Sequence, residues 1–359
     1  MLGIPNQSRW LFRYAVFAAC CTLLLICVGG VVTSKGVGMA VPDWPTTYGY
    51  NMFLFPFSKM IGGVFWEHLH RLKASGVGLL TIALSVWIYR ADSRRWLRKL
   101  GFWAVGLVVF QGVLGGLRVV MDKAVVANTT LGTVFGLAHA CTGQAFFVLM
   151  CFIAFALSPA WERFATGQKW ESTLSGRLNW LFPAATIAVF VQLALGAAMR
   201  HQHSGLAVPD FPLAYGQVWP ATDPASMARY NQHRVDDSTI TVFQVWLHMF
   251  HRVNACNVMG LIALAAFSAR KLTGTARPLR TGAFFWAALV VVQAGLGIAT
   301  VLYDKPADIA TAHVAAGALT LMTGSLLIAA CRMLLRPAPL LHVEGDPASK
   351  AAKWAASAG

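Results

Sequence analysis

Glu67-His68-Leu69-His70-Arg71 stands near the start of an apolar run over about 65–89. A close copy, His248-Met249-Phe250-His251-Arg252, opens a second run over about 242–268. Three residues on a helix turn through about 300°, so Glu67 and His70 share a face and Arg71 lies one turn from Glu67. His68, about 200° from His70, points elsewhere. An acid, an imidazole and a guanidinium inside a membrane-length apolar run are costly to hold there and mark function.

Runs of this kind recur along the whole chain. Of its 359 residues 57% are hydrophobic and 12% charged, against about 25% charged in soluble domains; the mean hydropathy is +0.58. Spans are expected at about 11–32, 65–89, 101–120, 130–157, 179–199, 242–268, 282–302 and 309–334. The net charge of +15 gathers in alternate connections. Arg9 and Arg13 precede the first span, and Arg90, Arg94, Arg95, Arg98 and Lys99 follow the second. Arg163, Lys169 and Arg177 follow the fourth, Arg270, Lys271, Arg277 and Arg280 the sixth, and Arg332, Arg336, Lys350 and Lys353 the eighth. That is the positive-inside pattern, so the basic charge speaks for a lipid bilayer and against nucleic acid, and both termini are expected in the cytoplasm. The first run lacks a small-residue cleavage site and reads as a retained helix. All seven cysteines fall inside expected helices, so they read as packing residues and not as a disulfide framework.

The two long connections on the other side, about 33–64 and 200–241, carry an internal repeat. Gly38-Met39-Ala40-Val41-Pro42-Asp43-Trp44-Pro45 matches Gly205-Leu206-Ala207-Val208-Pro209-Asp210-Phe211-Pro212, and Tyr48-Gly49 matches Tyr215-Gly216 in the same register. The expected fold is therefore an all-α membrane protein of eight transmembrane helices, arranged as two duplicated four-helix bundles with N-in/C-in topology. The halves are 1–165 and 166–336, followed by a mobile tail at 337–359. Trp44, Trp66 and Trp219 suit an interfacial cap over the outer end. The echoes Gln111-x-x-Leu114-Gly115, Gln192-x-x-Leu195-Gly196 and Gln293-x-x-Leu296-Gly297, with Gly29-Gly30, read as helix-packing devices.

Each even-numbered span carries a histidine near its outer end: His70, His139, His251 and His313. The repeat pairs them, His70 with His251 through H-R, and His139 with His313 through H-x-x-x-G. The glycine of that motif (Gly143, Gly317) is expected to make room for a flat ligand. Two histidines at one depth on facing helices of a bundle hold a b-type heme, whereas two histidines without nearby acids or thiols make a poor zinc site. Arg71, Arg252, Arg118 and Arg200 are candidates for the heme propionates, or else interface anchors. Where the first half has Glu67 the second has His248, so the first half is expected to do chemistry and the second to hold a redox cofactor, unless Glu67 merely pairs with Arg71.

Together Glu67-x-x-His70-Arg71, His248-x-x-His251-Arg252, His139, His313 and the twin Pro-Asp-Trp/Phe-Pro loops resemble the heme A synthase family, over about residues 10–335. The resemblance implies an oxidoreductase of the bacterial inner membrane that oxidises a ring methyl of heme O to a formyl group, giving heme A for terminal oxidases. It implies that His70 and His139 bind the iron of substrate heme O near Arg71, with heme sites toward the periplasmic side. His251 and His313 would bind the iron of a resident heme b near Arg252, and Glu67 would be catalytic. Many members carry a cysteine pair in the outer loops, which this chain lacks. Contact with heme O synthase is expected for so apolar an intermediate, and the electron donor stays unidentified. The rival readings are a diheme b-type cytochrome in quinone-linked electron transfer, a non-catalytic heme carrier, and a scaffold with structural histidines.

Overall fold

A computed structural model describes residues 6–126, 129–166, 170–172, 174–232 and 239–337. Ten α-helices are described: α1 Asn6–Ser34, α2 Gly62–Ala91, α3 Arg95–Val120, α4 Leu131–Ala156, α5 Pro159–Thr166, α6 Leu174–His201, α7 Pro224–Gln232, α8 Val242–Ala269, α9 Arg277–Leu302 and α10 Ala307–Leu334. All but α5 and α7 are long and apolar enough to cross a bilayer, which gives the eight spans expected and an integral membrane protein. α5 and α7, of eight and nine residues, were not foreseen, because so short a segment carries no readable period. The expected mobile tail lies outside the described residues except for Pro337, which ends a short strand pairing Leu335–Pro337 with Trp170–Ser172.

Helices α1, α2, α3 and α4 pack in a ring in which each touches the next and α4 returns to α1. Helices α6, α8, α9 and α10 repeat that order. The two bundles meet where α1 and α4 pack on α10 and where α4 packs on α6. Each bundle has its own apolar core. One is built around Leu84, Ile88, Leu97 and Met150, the other around Leu178, Phe182, Ile262 and Trp286. Outward, Phe17, Leu79, Trp103, Ile187 and Val291 are all more than half exposed, as suits helices whose solvent is hydrocarbon.

Two of the helix starts at the long-loop end, those of α4 and α8, are fixed by side-chain caps. The Thr130 hydroxyl accepts from the Thr133 N–H at the start of α4. Thr241 and Gln244 form a capping box at the start of α8. With a 1.5 Å rise per residue, His70, His139, His251 and His313 then lie about 9–14 Å below their helix starts, at one level of the molecule.

Candidate functional site

Each of the four histidine rings lies against a glycine of the preceding span. A methyl group at Gly29 on α1 would stand 3.0 Å from Cε1 of His70, at Gly115 on α3 3.4 Å from that of His139, at Gly196 on α6 3.2 Å from that of His251, and at Gly297 on α9 2.9 Å from that of His313. The glycines of the Gln-x-x-Leu-Gly echoes are therefore seats for imidazoles. Their packing role was legible in the sequence, but their partner was not. The glycines after His139 and His313 differ from expectation. Gly143 faces the Gln111 side chain, and Gly317 faces Leu193 and Gln293, so neighbouring side chains take up the room they leave.

Two of the rings are held by main-chain carbonyls. Nδ1 of His139 lies 3.1 Å from the Gln111 carbonyl oxygen, and Nδ1 of His313 lies 3.0 Å from that of Gln293. A carbonyl only accepts, so Nδ1 carries the proton and Nε2 keeps its lone pair, the state a metal-ligating imidazole needs. Nε2 of His313 has the Gln293 amide nitrogen 3.5 Å away, at the limit of a hydrogen bond. The other two rings lack such a tie, and Nδ1 of both His70 and His251 is buried without a partner. An orphaned buried polar atom costs about 1–3 kcal/mol, so these rings are shaped for something besides packing.

His70 and His139 face each other with ring centres 6.5 Å apart and planes at 81°. A metal–imidazole bond is about 2 Å long, which puts the centres of two rings on opposite sides of one metal roughly 6 Å apart. Two nitrogens are too few for a bare ion, so a metal held here brings the rest of its ligands with it, as a porphyrin does. The residues present fit a heme on that ground. His251 and His313 lie close enough to interact electrostatically.

Glu67 is almost fully buried. One carboxylate oxygen accepts from the Val41 N–H at 2.8 Å, and the other pairs with Arg71 at 2.8 Å. Arg71 also donates to the carbonyls of Asp43 (2.7 Å), Thr46 (3.0 Å) and Val41 (3.0 Å). Arg252 does the same in the second bundle, donating to Leu213, Val208 and Asp210 at 2.9, 3.1 and 2.7 Å. The two arginines expected beside propionates thus clamp the Pro-Asp-Trp/Phe-Pro loops to α2 and α8. His248 fills the place of Glu67, since its Nδ1 accepts from the Val208 N–H at 3.3 Å. The loops share their internal geometry. Asp43 accepts from the N–H groups of Tyr48 and Gly49, and Asp210 from those of Tyr215 and Gly216. Tyr48 (φ 50°) and Tyr215 (φ 53°) are left-handed, each followed by a left-handed glycine. Their hydroxyls reach back to the carbonyls of Ala40 and Ala207. Trp44 lies on Gly116, where a methyl group would run into its ring. This indole therefore lids α3 beside the seat of His139.

Arg118 and Arg200 clamp neither loop: the Arg118 guanidinium only packs against Gly38, and Arg200 bonds to α1. They lie where the two bundles meet, with His201 pressed against Gly136 of α4. All seven cysteines are free.

The fold and the site define a polytopic membrane protein with paired intramembrane histidines. The chain belongs to the COX15-CtaA family, described as cytochrome oxidase assembly protein, which it matches over residues 12–325. Similar proteins named heme A synthase include that of Shewanella oneidensis, 26% identical over 337 residues, covering 88% of this chain and 94% of the relative. That of Lysinibacillus sphaericus is 25% identical over 311 residues, covering 86% and 91%. That of Nitrosomonas eutropha is 27% identical over 347 residues, covering 88% and 91%.

Proposed function

We propose that this chain is a heme A synthase, an oxidoreductase that converts a ring methyl of heme O to the formyl group of heme A. The observation that carries the reading is the His70–His139 pair, with ring centres 6.5 Å apart and each imidazole seated on a glycine. The second bundle repeats those seats. Family membership and the names of the relatives support it.

In this reading residues 1–165 bind heme O between His70 and His139, and residues 166–336 hold a heme b between His251 and His313. A bound heme supplies the one-electron redox chemistry that no side chain here supplies. The chain supplies position and proton control. The Gln111 and Gln293 carbonyls fix the tautomers of His139 and His313. The loop clamped by Arg71 covers the first pocket and keeps water out. Glu67, one helical turn from His70, is the group that accepts a proton from the reacting methyl or hydroxymethyl carbon, or steadies positive charge there. Each of its oxygens keeps a lone pair beyond the bond to the Val41 N–H or to Arg71. The side with the Lys- and Arg-rich connections faces the cytoplasm, and the histidine level faces the periplasm.

The test is co-expression with heme O synthase, followed by chromatography of the extracted hemes. Wild type is expected to yield heme b with heme O or heme A. Glu67→Gln is expected to retain both hemes and form no heme A, and full conversion by that variant would remove Glu67 from the reaction. His251→Ala is expected to lose heme b, while His70→Ala spares it. Two hemes b in wild type, and nothing else, would favour the diheme cytochrome instead.

A further inference from the structure

Arg118, near the end of α3, and Arg200, near the end of α6, belong to different bundles yet lie within reach of one another's charge at the seam. Both are withdrawn from most of their solvent. Arg200 crosses the seam, and its Nη2 donates to the Gly30 carbonyl and the Ser34 hydroxyl of α1, each at 2.8 Å. Arg118 Nη2 lies against Gly38, where a methyl group would stand 2.8 Å from it. Among the described residues the Arg118 side chain makes neither a hydrogen bond nor an ion pair. The carboxylates that act on it electrostatically are Glu67 and Asp122, and Glu67 is already engaged by Val41 and Arg71. The other titratable groups within reach of the charge of these arginines are His70, His139, His201 and His313, all potential cations. A desolvated guanidinium without a partner is strongly unfavourable, and a second one beside it makes matters worse. An arrangement of this kind is stable when an anion completes it.

We propose that Arg118 and Arg200 form a carboxylate-binding site across the seam, and that its occupant is a propionate of the porphyrin held by His70 and His139. The inference rests on the heme reading of that histidine pair. Arg200, encoded in the second half, then completes the pocket of the first. Its charge also acts on His313, so the arginine stands between the two histidine pairs.

The test uses the full-length chain in nanodiscs of zwitterionic lipid, carrying His251→Ala so that one histidine pair stays intact. It is titrated with hemin and with hemin dimethyl ester. The parent is expected to bind hemin at least about tenfold more tightly than the ester. Arg118→Gln and Arg200→Gln are expected to weaken hemin to the level of the ester and leave the ester unchanged. Without porphyrin, Arg118→Gln is expected to melt at or above the temperature of the parent, since one of two repelling charges is gone, whereas Arg200→Gln also gives up its bonds to Gly30 and Ser34 and is read by porphyrin binding alone. Were Arg118 purely structural, its substitution would lower the melting temperature. Equal affinity of the parent for hemin and ester, or loss of both porphyrins alike in the variants, overturns the proposal. So does an arginine-dependent stabilisation produced by phosphatidylglycerol discs and not by hemin, which would give the site to a lipid phosphate. Failure of the parent to bind either porphyrin, unchanged by His70→Ala, would instead sink the heme reading itself.

Discussion

Replacing Gly297 with alanine puts a methyl group 2.9 Å from Cε1 of His313. Carbon atoms settle at about 3.5–4.0 Å, so the ring has to retreat by about half an ångström or more. It is not free to do so, because Nδ1 is tied to the Gln293 carbonyl at 3.0 Å. Keeping that bond keeps the clash, which costs about 1–3 kcal/mol. Yielding loses the bond, about 0.5–1.5 kcal/mol. Alanine returns about 1 kcal/mol of helix propensity over glycine. The heme-free protein should therefore lose no more than about 2 kcal/mol of stability. Ring displacement acts instead on the bound heme, where 1–2 kcal/mol is a factor of about 5–30 in retention. Gly115→Ala is the control, since its methyl would stand 3.4 Å from Cε1 of His139, an ordinary contact, and helix propensity then dominates. The assay is heme per polypeptide by pyridine hemochromogen, the rate of heme transfer to apomyoglobin, and the melting temperature of each variant. Equal heme retention in Gly297→Ala and wild type, or faster loss from Gly115→Ala than from Gly297→Ala, refutes the reasoning.

The loop clamps can be ranked. Arg71→Met removes three carbonyl bonds and leaves the buried Glu67 without its cation, at about 3–5 kcal/mol. Arg252→Met strands no carboxylate and should cost less, about 1.5–3 kcal/mol; a reversed order in thermal unfolding would contradict the assignment. Acid should loosen the first loop. Burial raises the Asp43 carboxyl, but hydrogen bonds from the Gly49 N–H, the Thr46 hydroxyl and the Tyr48 N–H outweigh it and hold the group below its ordinary value. The contribution is then complete above about pH 4 and is lost as pH falls through the lower, folded value. Pepsin cleavage within 35–61 should rise with acid in wild type, whereas Asp43→Asn should be cut readily and with less dependence on pH. Identical pH profiles for the two would remove Asp43 from the tie.

The spans were legible because a bilayer imposes length and apolarity on every crossing. The histidines were legible because an imidazole in such a segment stands out and the repeat aligns it with a second. The glycine seats were hidden, since Gly115 and Gly297 look like any small residue until their neighbours are known. What Arg71 and Arg252 hold in place was hidden for a related reason. Their partners are main-chain carbonyls of Val41, Asp43 and Val208, which no side-chain pattern announces. His248 looked like a missing acid, yet it ties the Val208 N–H as Glu67 ties that of Val41. Arg118 and Arg200 were visible as helix-end cations, but only the packing of α6 on α4 and of α10 on α1 shows that they meet.

The reach of Arg200 back to α1 also bears on how the protein is made. His70 and His139 are both delivered to the membrane once α4 has left the ribosome, before α6 has emerged. Only later does Arg200 arrive to grasp the Gly30 carbonyl and the Ser34 hydroxyl. Translation therefore sets an order of assembly, in which the earlier pair is in the membrane before the residue that ties the two bundles together.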